Sequence, residues 1–208
     1  MEIPSSWRII ASRSEITTAI QRCADEINER FRGRRVVVVC ILKGAVFFWV
    51  DLVRLLTIPN SSYFIEATSY HGQTQSKLSI LSSIEPSKFV DREVILVDEL
   101  YDNGHTLEGV RAAIIEKANV PPSRIFTCTL FQKNKSSACR PPDLYGILVP
   151  DVWLVGYGLD DRQEMRGLTT LWAKPKEDGV PKTEDDKLFD GCQEYGDVLR
   201  KYNLISIP

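Results

Sequence analysis

The sequence has no long hydrophobic run, no surplus of positive charge, no paired cysteines and only 2 histidines. Each absence removes a class of function. No stretch approaches the roughly 20 apolar residues that a membrane helix needs, and Met1 to Ser14 holds no signal-like apolar segment. Lys and Arg number 26 against 28 Asp and Glu, a formal charge of -2. That leaves no global basic field for a nucleic-acid backbone. Cys23, Cys40, Cys128, Cys139 and Cys192 are scattered, with no Cys-x-x-Cys spacing. A thiolate zinc site and a dithiol redox centre are therefore not indicated. The odd, scattered set points instead to reduced thiols in the cytoplasm. His71 and His105 do not look like metal ligands. No Gly-Lys-Ser/Thr ends a P-loop, and Gly156-Tyr157-Gly158 lacks the third glycine of a dinucleotide fingerprint. Internal repeats and low-complexity segments are also missing.

What remains reads as one α/β domain over residues 1–208. Apolar residues recur at three- and four-residue steps from Ser14 to Arg30, which predicts an amphipathic helix capped by Ser14. Val36 to Leu42 is apolar without alternation, the mark of a strand buried on both faces of a parallel sheet. Further strands are predicted at Tyr63–Thr68, Val94–Val97, Ile125–Phe131 and Val152–Tyr157, with a short sixth element at Leu168–Ala173. Helices are predicted at Ala45–Leu56 and Leu107–Ala118. The polar stretch His71–Ser83 reads as a mobile loop. The tail carries a charged patch from Lys174 to Lys187, then a helix to Tyr202. Alternating strands and helices imply an open, mostly parallel sheet. Ligands in such sheets sit beyond the carboxyl ends of the strands, where Lys43, Ser69, Asp98, Lys133 and Gly158 all fall.

The chemistry concentrates in Val94-Ile-Leu-Val-Asp-Glu-Leu-Tyr-Asp-Asn-Gly-His-Thr-Leu107. A buried strand delivers Asp98 and Glu99 at its exit. A short turn, Asp102-Asn103-Gly104-His105-Thr106, then opens a helix. Backbone N–H groups at such a helix start, aided by the dipole, suit a phosphate monoester. Gly104 lets the backbone approach the ligand, and Asn103 and Thr106 add side-chain donors. Adjacent carboxylates repel and resist desolvation. Ribose hydroxyls and a divalent cation would offset that cost.

This stretch resembles the phosphoribosyl-pyrophosphate motif of phosphoribosyltransferases. The chain as a whole resembles the hypoxanthine-guanine phosphoribosyltransferases from about Val36 to Arg166. Ile41-Leu42-Lys43-Gly44, Ser69-Tyr70, Lys133, and Arg140-Pro-Pro-Asp143 through Trp153 to Asp160 and Arg166 extend the likeness in the right order. The resemblance implies a type I phosphoribosyltransferase fold: a mostly parallel five-stranded sheet flanked by helices, core about 34–166, with a small hood from the terminal segments.

The resemblance also implies roles. The Lys43-Gly44 backbone would hold pyrophosphate through a loop with a cis peptide, joined by Arg166. Asp98 and Glu99 would hold the ribose hydroxyls, directly or through Mg²⁺, and Asp160 a second Mg²⁺. The turn from Asp102 to Thr106 would hold the 5-phosphate. Asp102 would exchange a proton at purine N7, or else cap the following helix. Lys133 would donate to the purine O6, with Lys135 as the alternative two residues on. Trp153 would stack on the base, and the Leu154 backbone would meet its edge. Ser69-Tyr70 would close over the reaction. Substrates would be phosphoribosyl pyrophosphate and hypoxanthine, guanine or xanthine, with no nucleic-acid or membrane partner and a homodimer or homotetramer as the assembly. The Asp98-Glu99 order departs from the family's usual Glu-Asp, and His105 replaces a more usual Lys. An RNA-binding regulator on the same fold is the alternative, opposed by the net charge and by retention of Asp102 and Lys133. An orotate or adenine transferase is a third reading, opposed by Lys133 and the Trp153–Asp160 stretch.

Overall fold

The computed structural model describes residues 3–71 and 76–175. The helix expected toward Tyr202 and all of the charged patch beyond 175 lie outside the described residues. The element order is β1 (Arg8–Ala11), α1 (Arg13–Arg30), β2 (Val36–Leu42), α2 (Val46–Leu55), β3 (Asn60–His71), β4 (Ser76–Ile80), β5 (Glu93–Tyr101), α3 (His105–Ala118), β6 (Ile125–Lys133), β7 (Leu144–Val149), β8 (Trp153–Val155) and β9 (Leu171–Lys174).

Helix α1 buries Ile16, Ala19, Ile20, Cys23, Ala24 and Ile27, the stripe that the periodicity marked. Its cap is Ser12 rather than Ser14. The Ser12 N–H donates to Glu15 Oε2 at 2.8 Å, and the Glu15 N–H donates to Ser12 Oγ at 3.3 Å. This reciprocal capping box needs an acid or amide three residues after the cap. Glu15 supplies it for Ser12, whereas Ser14 would face Thr17.

The main sheet has six strands in the order β4-β3-β2-β5-β6-β7. Strands β3, β2, β5, β6 and β7 run parallel, and β4 is an antiparallel edge. Strand β2 is central and its side chains divide between two cores. Val36, Val38 and Cys40 pack with α1 and α2. Val37, Val39 and Ile41 pack with Val94, Leu96 and the Val110–Ile114 face of α3. An unbroken apolar run is what a strand covered on both sides requires.

Two strand assignments change. The fifth parallel strand is Leu144–Val149, not Val152–Tyr157. Strand β7 is an edge, with Tyr145 and Leu148 exposed, so it lacks the continuous apolar signal of its neighbours. Trp153–Val155 instead pairs with β9 in a separate antiparallel sheet, β1-β9-β8, which forms the hood. The segment expected to be a mobile loop from His71 contains β4, paired with β3 from Ala67↔Ile80 to His71↔Ser76. A polar edge hairpin buries little, so its sequence carries no core pattern.

The α1 cap gives a first prediction. Ser12→Ala is expected to lower stability by about 1 kcal/mol, measured as a drop in the urea midpoint. An unchanged midpoint would mean that Glu15 and solvent satisfy the helix start without the hydroxyl.

Candidate active site

The site is built where β2, β5 and β6 end. Strand β5 runs into the turn Asp102-Asn103-Gly104 and so into α3. Gly104 is the N-cap residue, with φ 81°, and no side chain caps the helix. The Asn103 Oδ1 accepts from the His105 N–H at 3.1 Å. Among the described residues, the N–H groups of Gly104, Thr106 and Leu107 meet no protein acceptor. Three donors at a helix start are thus open to an anion. The capping role considered for Asp102 does not hold, because its carboxylate is engaged elsewhere.

The turn is braced from behind. A Cβ on Gly104 would lie 2.7 Å from the Cys139 Cβ and 2.7 Å from the Tyr101 ring. Gly104 therefore answers to its positive φ and to packing on protein, not to close ligand approach on that side. Tyr101 Oη donates to the Cys139 carbonyl at 2.9 Å, and Ser137 Oγ donates to the Asn103 carbonyl at 2.7 Å. Tyr101 lies within the Val94–Leu107 stretch, but Ser137 and Cys139 carry no motif, so the sequence does not single them out. Both act through the loop between β6 and β7, far from the turn in sequence.

Asp98 is 6% exposed, and the Glu99 N–H donates to its Oδ1 at 3.0 Å. Burial, and then the neighbouring Glu99 charge, push the Asp98 carboxyl well above the usual carboxylate range. The Glu99 carboxylate lies against the backbone of the β2–α2 turn: a Cβ on Gly44 would fall 1.8 Å from Glu99 Oε1. A Cβ on Gly158 would fall 2.2 Å from the Gly44 carbonyl oxygen. Gly44, Glu99 and Gly158, from three separate segments, therefore meet without side chains between them. The peptide joining Leu42 to Lys43 is cis, and the Lys43 side chain is exposed.

Strand β6 ends at Lys133, whose ammonium reaches Asp102 Oδ2 at 3.4 Å and Asp151 Oδ1 at 3.0 Å. Lys135 pairs with the same Asp102 carboxylate, and with Asp151 at 3.1 Å. The side chain of Lys133 is 12% exposed and that of Lys135 29%. The two lysines draw Asp151 below its ordinary range against the opposing effect of partial burial. Asp151 was not anticipated; its sequence neighbourhood shows no partner, and only the β6–β7 crossover brings one.

Two residues on, Trp153 is 58% exposed. Trp153 is therefore not a core aromatic. The Leu154 side chain is buried in the hood, while its backbone belongs to β8, whose second edge is unpaired among the described residues. Asp160 Oδ1 lies 2.6 Å from Arg166, and Asp160 Oδ2 accepts from the Gln163 N–H at 2.8 Å. Arg166 also donates to the Gly158 carbonyl at 2.8 Å. Ser69 and Tyr70 pair in backbone register with Leu78 and Lys77 on the β3–β4 hairpin. That hairpin rests on α3, where a Cβ on Gly109 would lie 2.2 Å from Leu78 Cδ2.

No group of three or more His, Cys, Asp and Glu side chains placed to hold a metal occurs among the described residues. An all-protein cage is thus absent there. A magnesium ion bound through one or two carboxylates, substrate oxygens and water does not need one. The desolvated Asp98, beside a second acid and without a cationic partner among the described residues, fits that mode of binding.

The phosphoribosyl transferase domain family matches residues 6–162. A hypoxanthine-guanine phosphoribosyltransferase of Staphylococcus epidermidis is 30% identical over 162 residues, covering 77% of this chain and 89% of that protein. The structure of a Bacillus anthracis hypoxanthine-guanine phosphoribosyltransferase superposes with a TM-score of 0.73 at 27% identity, over 83% of this chain and 99% of that one. A Trypanosoma cruzi hypoxanthine phosphoribosyltransferase, in complex with the product IMP, gives a TM-score of 0.68 at 25% identity, over 83% and 96%.

The elevated Asp98 carboxyl sets a pH dependence. Its folded pKa exceeds its unfolded value, so the unliganded fold holds the extra proton at acid pH. Stability therefore falls as pH rises from about 4 through the raised pKa. Asp98→Asn is expected to raise the melting temperature of the unliganded protein at pH 8, with the gain shrinking toward pH 4. Equal or lower melting at pH 8 would show that the buried charge is compensated.

Proposed function

This chain belongs to the phosphoribosyltransferase family, and from that premise we propose that it serves purine salvage by transferring the 5-phosphoribosyl group of phosphoribosyl pyrophosphate to N9 of hypoxanthine or guanine. The products are IMP or GMP and pyrophosphate. Xanthine is the third base to consider. The observation that carries this reading is the open amide turn of α3 lying directly beyond the Asp98-Glu99 exit of β5.

The N–H groups of Gly104, Thr106 and Leu107, with the Thr106 hydroxyl, hold the 5-phosphate. Asp98 and Glu99 take the ribose hydroxyls. The Lys43-Gly44 backbone and Arg166 hold the pyrophosphate. Asp98, Glu99 and Asp160 would hold Mg²⁺, whose charge neutralises the leaving pyrophosphate. Opening the one Asp160–Arg166 ion pair frees both partners for these roles.

Bond breaking at C1 leaves positive charge on the ribose, and the protein's share is positioning and charge stabilisation. Asp102 accepts the proton that the purine loses at N7 as N9 bonds to C1. Lys133 and Lys135 orient that carboxylate. Lys133, the more buried of the two, donates to O6, where adenine would present a donor of its own. A buried donor left unpaired is costly, which is how one contact discriminates. Trp153 stacks on the base and the backbone of β8 at Leu154 reads its edge. The hairpin bearing Ser69-Tyr70 covers the site and excludes water. The protein acts in the cytoplasm as a homodimer or homotetramer.

Pyrophosphate release across hypoxanthine, guanine, xanthine, adenine and orotate tests the activity. Turnover should require Mg²⁺ and a 6-oxopurine; a folded sample inert to all three 6-oxopurines overturns the reading. Asp102→Asn should lower kcat by about 10²–10⁴-fold while nucleotide binding changes little. Parallel loss of both would reduce Asp102 to a structural anchor. Lys133→Ala should erode the preference for hypoxanthine over adenine more than Lys135→Ala does; the reverse order would move the O6 contact to Lys135.

A further inference from the structure

A second concave site lies at the opposite end of the sheet, where the parallel strands begin. It is a cavity of about 360 Å³ walled by the end of α1, the starts of β5 and β6, the middle of α3 and the loop before β7. Its volume falls in the usual small-molecule range, roughly 300–1,000 Å³. Arg30, Arg34, Arg111, Arg124 and Arg140 line it, against only Glu93 and Asp143. In a chain of net charge -2, such a gathering of like charge is costly unless an anion offsets it.

The acids present are already committed. Glu93 pairs with Arg34 at 3.3 Å and Asp143 with Arg140 at 2.5 Å. Asp143 also accepts from the Thr127 N–H and hydroxyl, each at 2.8 Å. Arg30 lies over the Phe126 ring, 4.7 Å from its centroid. Neither Arg30 nor Arg124 has a carboxylate within ion-pair reach among the described residues. The Arg111 side chain is 15% exposed and reaches Glu108 and the Pro122 carbonyl at 3.4 Å. Its buried Nε has no hydrogen-bond partner among the described residues, so this guanidinium, which lines the pocket, is not fully satisfied by the protein.

We propose that this pocket binds a di- or triphosphate group, free or at the end of a nucleotide. Guanidinium forks match phosphate oxygens two at a time, and several phosphates are needed to engage arginines from four segments. Phe31 and Phe126 pack edge-on, 5.5 Å between centroids, and are buried. Their faces are closed to a base, so recognition rests on phosphate. A short segment, residues 137–140, connects the pocket to the 5-phosphate turn. Ser137 and Cys139 bond the turn's Asn103 and Tyr101, and Arg140 follows at once. Arg111 stands on α3, the helix that this turn begins.

Titration calorimetry on the full chain, with inorganic tripolyphosphate and separately with GTP, tests the site. Saturable binding is expected, weakened about tenfold (about 1.4 kcal/mol) or more by Arg124→Ala and by Arg30→Ala. Arg124→Lys should lose less, which guards against a misfolded variant. Thr106→Ala should leave this binding unchanged. GTP binding more tightly than tripolyphosphate assigns the phosphates to a nucleotide, and equal affinity assigns them to free polyphosphate; either supports the site. No heat, or binding that survives the arginine changes and falls with Thr106→Ala, overturns it. With Mg²⁺ in excess, occupancy should shift the KM for phosphoribosyl pyrophosphate by roughly fivefold or more, and not in Arg124→Ala. A constant KM overturns the link to the turn. That last arm alone rests on the proposed activity; the calorimetry decides the site even if no transfer is seen.

Discussion

Two carboxylates leave β5 side by side, one of them buried, with no cationic partner among the described residues. Everything around them is arranged on that unfavourable pair. Glu99 is pressed against the bare backbone of Gly44, and Gly158 closes on Gly44 from the hood side. Any side chain at either glycine would displace the acid or the turn. The fold thus keeps a pocket of unspent negative charge next to a helix start with unspent N–H donors. In the proposed reading a sugar phosphate would satisfy both at once, with hydroxyls answering the carboxylates and phosphate oxygens the amides.

Charge elsewhere is handled in the opposite way. Lys133, Lys135, Asp102 and Asp151 neutralise one another, and Asp160 pairs with Arg166. These groups are held in place by partners that a ligand can replace. The contrast separates parts of the site that wait open from parts that exchange one contact for another. At the far end of the sheet, the arginine pocket repeats the first pattern with the sign reversed.

The β5–α3 stretch was legible because strand, acids, turn and helix are consecutive, so local order alone delivers the acid pair and the open helix start. The central strands were legible for a different reason: β2 is covered on both faces, and its composition records that. Strand β7 and the β3–β4 hairpin were not, since edges and exposed hairpins bury too little to leave a period. Ser12 rather than Ser14 caps α1 because the choice rests on a reciprocal bond to Glu15, a matter of which residue stands three places on.

The sequence by itself determined the parallel architecture, the acid pair and the turn that opens α3, each through residues adjacent in the chain. Only the tertiary structure decided which groups meet across segments. Asp151 comes to the two lysines, Cys139 and Ser137 come to the back of the turn, and five arginines from four segments come to one cavity. The physical reason is that such contacts depend on crossover geometry and sheet order, which place residues far apart in sequence within hydrogen-bonding distance and leave no local pattern to read.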